Sequence, residues 1–223
     1  MHAARQPVRV REARGRRAFT LLESLMALIV VGVGVLAFVD AQSSFHRSNG
    51  WSSRAATGML LANELREFTR HLPRHDPVTG LTLNGATLTG WGRDTGETAN
   101  ATADIDDLDD LDGVTFGSGG TFPGPINAFG EVIPEVEING DESISGGQTV
   151  PLVGWSQRVL VDKVDPYNFV TARADNYQQA ASASLPFIPV DSFPLRVTVI
   201  VSHQGLSDST ATEVTRVSWV VPR

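Results

Sequence analysis

From Ser24 to Val39 the chain carries no charged residue, and the apolar run that contains this stretch extends back to Phe19. Phe19 to Val39 spans about 31 Å as a helix, at 1.5 Å per residue. That matches a hydrocarbon core of about 30 Å. Lipid offers no partner to free backbone groups, so such a segment must be helical. One carboxylate, Glu23, sits inside it, and an acid in a membrane segment marks a functional position by default.

The segment before it is strongly basic. Residues 1–18 hold six arginines (Arg5, Arg9, Arg11, Arg14, Arg16, Arg17) and a single acid, Glu12. Arginine beside an apolar span stays on the cytoplasmic side, so the chain after Val39 is expected outside the cytoplasm. An ordinary secretory signal is the competing reading, with Val39-Asp40-Ala41 offering small residues for a signal peptidase. The early position of Glu23, and a helical pattern that continues past Ala41, weigh against it.

That pattern runs on to Leu72. Trp51, Ala55, Met59, Ala62, Leu65, Phe68 and Leu72 follow spacings of three and four, which predicts one amphipathic face. Leu61 and Ala56 widen the stripe. Pro73 ends the run, and Ser48-Asn49-Gly50 is the expected break within it. The expected organisation is a basic leader over 1–18, a helix over 19–72 (membrane half 19–39, amphipathic half 40–72) and a soluble head over 73–223.

The arrangement Arg16-Arg17-Ala18-Phe19-Thr20-Leu21-Leu22-Glu23 resembles the processing site of the type IV pilins and type II secretion pseudopilins. The resemblance implies cleavage between Ala18 and Phe19 by a prepilin peptidase and methyltransferase, with N-methylation of Phe19. Ala18 stands where that family usually has Gly. Glu23 becomes the fifth residue of the mature chain and acts in assembly, facing the free amino group of a neighbouring subunit. The implied partners are other pilin subunits and the inner membrane, which the chain crosses once before entering a pilus or periplasmic filament.

Composition narrows the function classes. The leader holds six of 18 basic and one of 25 acidic residues, which leaves 12 and 24 beyond it. A remainder near −12 argues against nucleic acid as a partner, since phosphate binding wants a basic surface. There is no cysteine, so disulfides and thiol chemistry are excluded. Lys163 is the single lysine, read as a mark of arginine-rich coding rather than function.

The head reads as strands returning to the helix. Short strands are expected near Leu81–Leu83 and Thr87–Leu88. Glu131 to Ile138 is interrupted by Pro134 and is at most an edge strand. Ser156–Val164, Leu195–Ser202 and Glu213–Val221 alternate and are rich in valine. The last two predict an antiparallel pair around Gly205. Val197, Val199 and Val201 then share a face with Val217, Trp219 and Val221, covering the helix end at Phe68 and Leu72, with Trp219 a main contact. The fold class is α+β and pilin-like: a long N-terminal helix packed on a C-terminal antiparallel sheet.

Asp104-Ile-Asp-Asp-Leu-Asp-Asp-Leu-Asp-Gly113 is similar to an acidic element of minor pilins of the mannose-sensitive-haemagglutinin type. The closing Val-Ser-Trp-Val-Val-Pro is similar to the end of that group. The run invites calcium, because hard cations want several oxygens. Leu108 occupies the first ligand position of an EF-hand pattern, so it is not that loop. The favoured expectation is an exposed acidic turn with Ile105, Leu108 and Leu111 docked on the core, and a different carboxylate cage is the alternative.

Other chemistry finds no constellation. His71 and His75 are separated by Pro73, which excludes a zinc pair on one helical face. No Gly-x-Ser-x-Gly elbow and no phosphate-binding glycine loop occur. The resemblance to the pilins implies a non-enzymatic filament subunit, a minor pilin or pseudopilin, and no cofactor or metal is expected. The alternative is a membrane-anchored or secreted binding domain that does not polymerise.

Overall fold

A computed structural model of the chain describes residues 20–98 and 100–223. Ala18 and Phe19, the pair expected to flank a cleavage, lie outside the described residues, as does the rest of the leader. The chain divides into two units, 1–50 and 51–223.

Helix α1 runs Leu21–Phe68 and is helical through Ser48, Asn49 and Gly50. The break expected there does not occur. A single glycine costs a helix interior about 1 kcal/mol relative to alanine, and no proline follows until Pro73. In the first unit, an 18-residue window of the helix has a mean hydropathy of 2.4 and none of it is buried. Leu22, Leu25, Leu28, Val31, Leu36 and Phe38 are all exposed. By length and composition the helix can cross a membrane.

The second unit is an α+β layer. The helix turns from Trp51 to Phe68 bury Gly58, Leu61, Ala62, Leu65 and Phe68. This track is rotated from the one expected. Met59 is 47% and Trp51 73% exposed, while Gly58 faces the sheet. A Cβ on Gly58 would stand 2.9 Å from Val214 Cγ1, so the missing side chain lets helix and sheet approach. That close approach, rather than the largest side chains, centres the buried face.

The sheet is antiparallel in the order β3 (Thr115–Gly117), β6 (Trp155–Asp165), β8 (Leu195–His203), β9 (Thr212–Val221). A further strand, β7 (Asn168–Ala172), pairs with β6. Register sets Val159 opposite Val199 and Val161 opposite Val197, then Val197 opposite Trp219 and Val199 opposite Val217. Opposed residues share a face, so these side chains form one apolar layer, as the alternation predicts. Leu195, Val197, Val199 and Val201 are fully buried and pack with Leu61, Leu65 and Phe68. Trp219 joins this core as a half-buried residue, because β9 is the outermost strand. Arg66 lies over its ring at 5.9 Å.

Two small hairpins lie outside the sheet: β1 (Thr82–Asn84) with β2 (Thr87–Thr89), and β4 (Ile144–Ser145) with β5 (Gln148–Thr149). Residues 131–138 form isolated bridges rather than a strand, among them Val136 to Glu142. Pro134, which has no N–H, fits that irregular pairing.

Candidate functional site

Glu23 occupies the first turn of α1. Its N–H donates to Thr20 Oγ1 at 3.3 Å, which makes Thr20 the capping residue of a Thr-x-x-Glu start. An acid here also complements the positive end of the helix. The side chain is exposed, in the same unit as the apolar surface described above.

The second unit holds a buried polar centre. Ile105, Leu108 and Leu111 dock on the core, as expected of the acidic run. The run is not an exposed turn, however. Apolar residues at every third position form the contacts, and two short 3-10 turns, Thr102–Asp104 and Asp109–Leu111, coil the segment tightly. Asp107, Asp109 and Asp110 are drawn in with them, at 2%, 0% and 3% exposure. Leu108 N–H donates to the Pro73 carbonyl at 3.0 Å, pinning the run to the segment just after the helix. Asp112 closes it by accepting from Val161 N–H at 2.9 Å.

One oxygen from each of Asp107, Asp109 and Asp110 lies within 4.8 Å of the others. Asp107 Oδ1 accepts from Asp110 N–H at 3.0 Å, and Asp110 Oδ2 from Asp106 N–H at 3.2 Å. Asp109 Oδ2 lies 2.6 Å from His75 Nδ1. Asp109 Oδ1 and His75 Nε2 are buried without a hydrogen-bond partner. A second group, Glu97, Asp106 and Asp110, adjoins the first through Asp110 and reaches the surface at Asp106.

Burial disfavours charge throughout this centre. It pushes Asp107 up to about 8, with Asp109 adding to the effect, and Asp109 and Asp110 up to about 7. It pushes His75 down to about 4, assisted by the nearby Arg74 charge. The His75–Asp109 contact at neutral pH is therefore made by a neutral imidazole.

Lys163 completes the surroundings. It continues the core-facing parity of Val159 and Val161 on β6 and is fully buried. Its Nζ donates to the Asp175 carbonyl and lies 5.8 Å from the Trp91 ring and 5.5 Å from the Phe193 ring. Desolvation lowers its pKa to about 8, against the pull of Asp175, Asp191 and Asp109. His75 and Lys163 were not singled out by the sequence as members of a site. A lone lysine at a core-facing position of an alternating strand was the available signal.

Glu23 lies in the first unit and the buried centre in the second. No protein-family model, curated protein or solved structure matches the chain.

Proposed function

We propose that the chain is a filament subunit of the type IV pilin and type II secretion pseudopilin group, most like its minor pilins. It is made with a leader that is cut between Ala18 and Phe19, anchored in the inner membrane by α1, and then assembled. The observation that carries this reading is α1 itself. From Leu21 to Val39 it is apolar, exposed and free of charge but for Glu23, while its last turns supply the core of an antiparallel α+β head. An anchor that only tethers a domain needs no acid near its start, and an acid there is costly in lipid unless it has a partner. Met59 and Leu60 remain exposed in the part of the helix that packs on the sheet, which leaves apolar surface for a neighbouring subunit.

Glu23→Val tests the reading. Valine inserts more readily than glutamate, so the variant still reaches the membrane fraction. Recovery of other filament subunits with it falls at least tenfold. Recovery equal to that of the unaltered chain would instead favour the non-polymerising anchored domain.

A further inference from the structure

The geometry points to a binding site for a hard divalent cation of the calcium class, formed by Asp107, Asp109 and Asp110. This site is independent of the filament reading. A cluster of acids on a surface needs no ion, since water solvates each of them. These three are at most 3% exposed, and buried carboxylates are paired or coordinate metals. The described residues supply no such pairing for Asp109 Oδ1, which is buried without a partner although its residue is 0% exposed. An oxygen in that position lacks a positive neighbour within contact distance, and a cation would supply one.

The dimensions fit. The three oxygens lie within 4.8 Å of one another, the largest separation that two ligands about 2.4 Å from one ion can have. The donor set is all oxygen, which suits calcium or magnesium rather than zinc or copper. The carboxylates are also held in place by hydrogen bonds. His75 Nδ1 at 2.6 Å fixes Asp109 Oδ2, and the Asp110 and Asp106 N–H groups fix one oxygen each of Asp107 and Asp110. Ligand carboxylates are typically hydrogen-bonded in this way. Asp106 and Glu97, which join the cluster through Asp110, reach toward solvent and give an ion a path in. Three carboxylates leave coordination positions for water, and calcium, which tolerates irregular six- to eight-fold geometry, is favoured over octahedral magnesium.

Charge balance agrees. The only lysine, Lys163, is close enough to feel Asp109 but directs its Nζ to the Asp175 carbonyl. It does not bond to any of the three carboxylates, so no ammonium group occupies their oxygens.

The full chain in detergent, stripped with a chelator, is the sample. Calcium chloride is titrated to 10 mM at pH 7.5 while thermal unfolding is followed, with magnesium chloride as comparator. Saturating calcium is expected to raise Tm by at least 3 °C, as a ligand specific for the native state must, and magnesium by less. Asp109→Asn and Asp110→Asn each abolish the shift while retaining a cooperative transition. Terbium alone gives a second readout that does not depend on stability. The Trp91 ring lies 5.9 Å from the ring of His75, which contacts Asp109, so excitation of Trp91 sensitises bound terbium, and calcium quenches the emission by displacement. If the asparagine variants do not fold, calcium-displaceable emission lost in Trp91→Leu still supports the site. An unchanged Tm at 10 mM calcium together with no sensitised emission would overturn it. So would a calcium shift of equal size in Asp109→Asn and Asp110→Asn.

Discussion

Gln157, fully buried in β6, donates from Nε2 to the Leu61 carbonyl of α1 at 2.8 Å. The same amide nitrogen reaches the Ile126 carbonyl at 3.1 Å, and Oε1 accepts from Ile126 N–H at 2.8 Å. One side chain thus ties helix, sheet and the 126 loop together inside an otherwise apolar layer. Gln157→Leu keeps the volume but strands the Ile126 N–H and carbonyl. A buried group left without its partner costs about 1–3 kcal/mol. Denaturant unfolding of the full chain in detergent should show a loss in that range, and a loss under 0.5 kcal/mol, taken as roughly zero on the same scale, would mean that water enters the site.

Gly58 sets the distance between helix and sheet. Gly58→Val places branched carbons where Val214 Cγ1 already lies 2.9 Å from the first added atom. Overpacking of this kind costs about 1–3 kcal/mol, only partly offset by the better helix preference of valine over glycine. The expected result is a lower Tm. An equal or higher Tm would show that β9 moves away without loss.

Trp219 is half-buried on the outer strand. Full burial would make Trp219→Ala cost about 3–5 kcal/mol. With part of the ring exposed and Arg66 over its face at 5.9 Å, about 1–3 kcal/mol is expected, the reduced area and the cation–π term together setting the value. A loss above that range in equilibrium unfolding would place the ring in a closed interface.

Stability without divalent cations should fall between pH 6.5 and 8. Asp107, Asp109 and Asp110 hold folded-state values of about 8, 7 and 7 against an ordinary value of 3.8. Over that window the folded chain binds more protons than the unfolded one, so unfolding free energy declines as pH rises. This contribution is complete below about pH 4 and gone above the folded values. His75, lowered to about 4, acts in the opposite direction only between there and 6.5. Lys163, lowered to about 8, acts in the opposite direction above 8. Tm in EDTA at pH 6.5 should therefore exceed Tm at pH 8, by less in Asp107→Asn. A rise in Tm across this window would contradict the burial of the three acids.

Local periodicity carried most of the fold. Strand parity in Val197, Val199 and Val201 and in Val217 and Trp219 located both the pairing and the buried face, because alternation is a property of each strand alone. Long-range contacts were not legible. The buried helix track moved to Gly58 because a residue without a side chain marks close approach, and hydrophobic spacing gives it no weight. The leucines of the acidic run were read correctly, yet the aspartates between them were expected outside. A 3-10 turn packed under Pro73 buries both sets, and nothing local to the run encodes that roof. His75 becomes part of the centre only through a contact 34 positions along the chain.

The filament reading rests on an N-terminus created by processing. The mass of the N-terminal peptide of the protein isolated from membranes tests it most directly. The account predicts a peptide that begins at Phe19 and is heavier by one methyl group. A chain that begins at Gln42 or retains Met1 would contradict it.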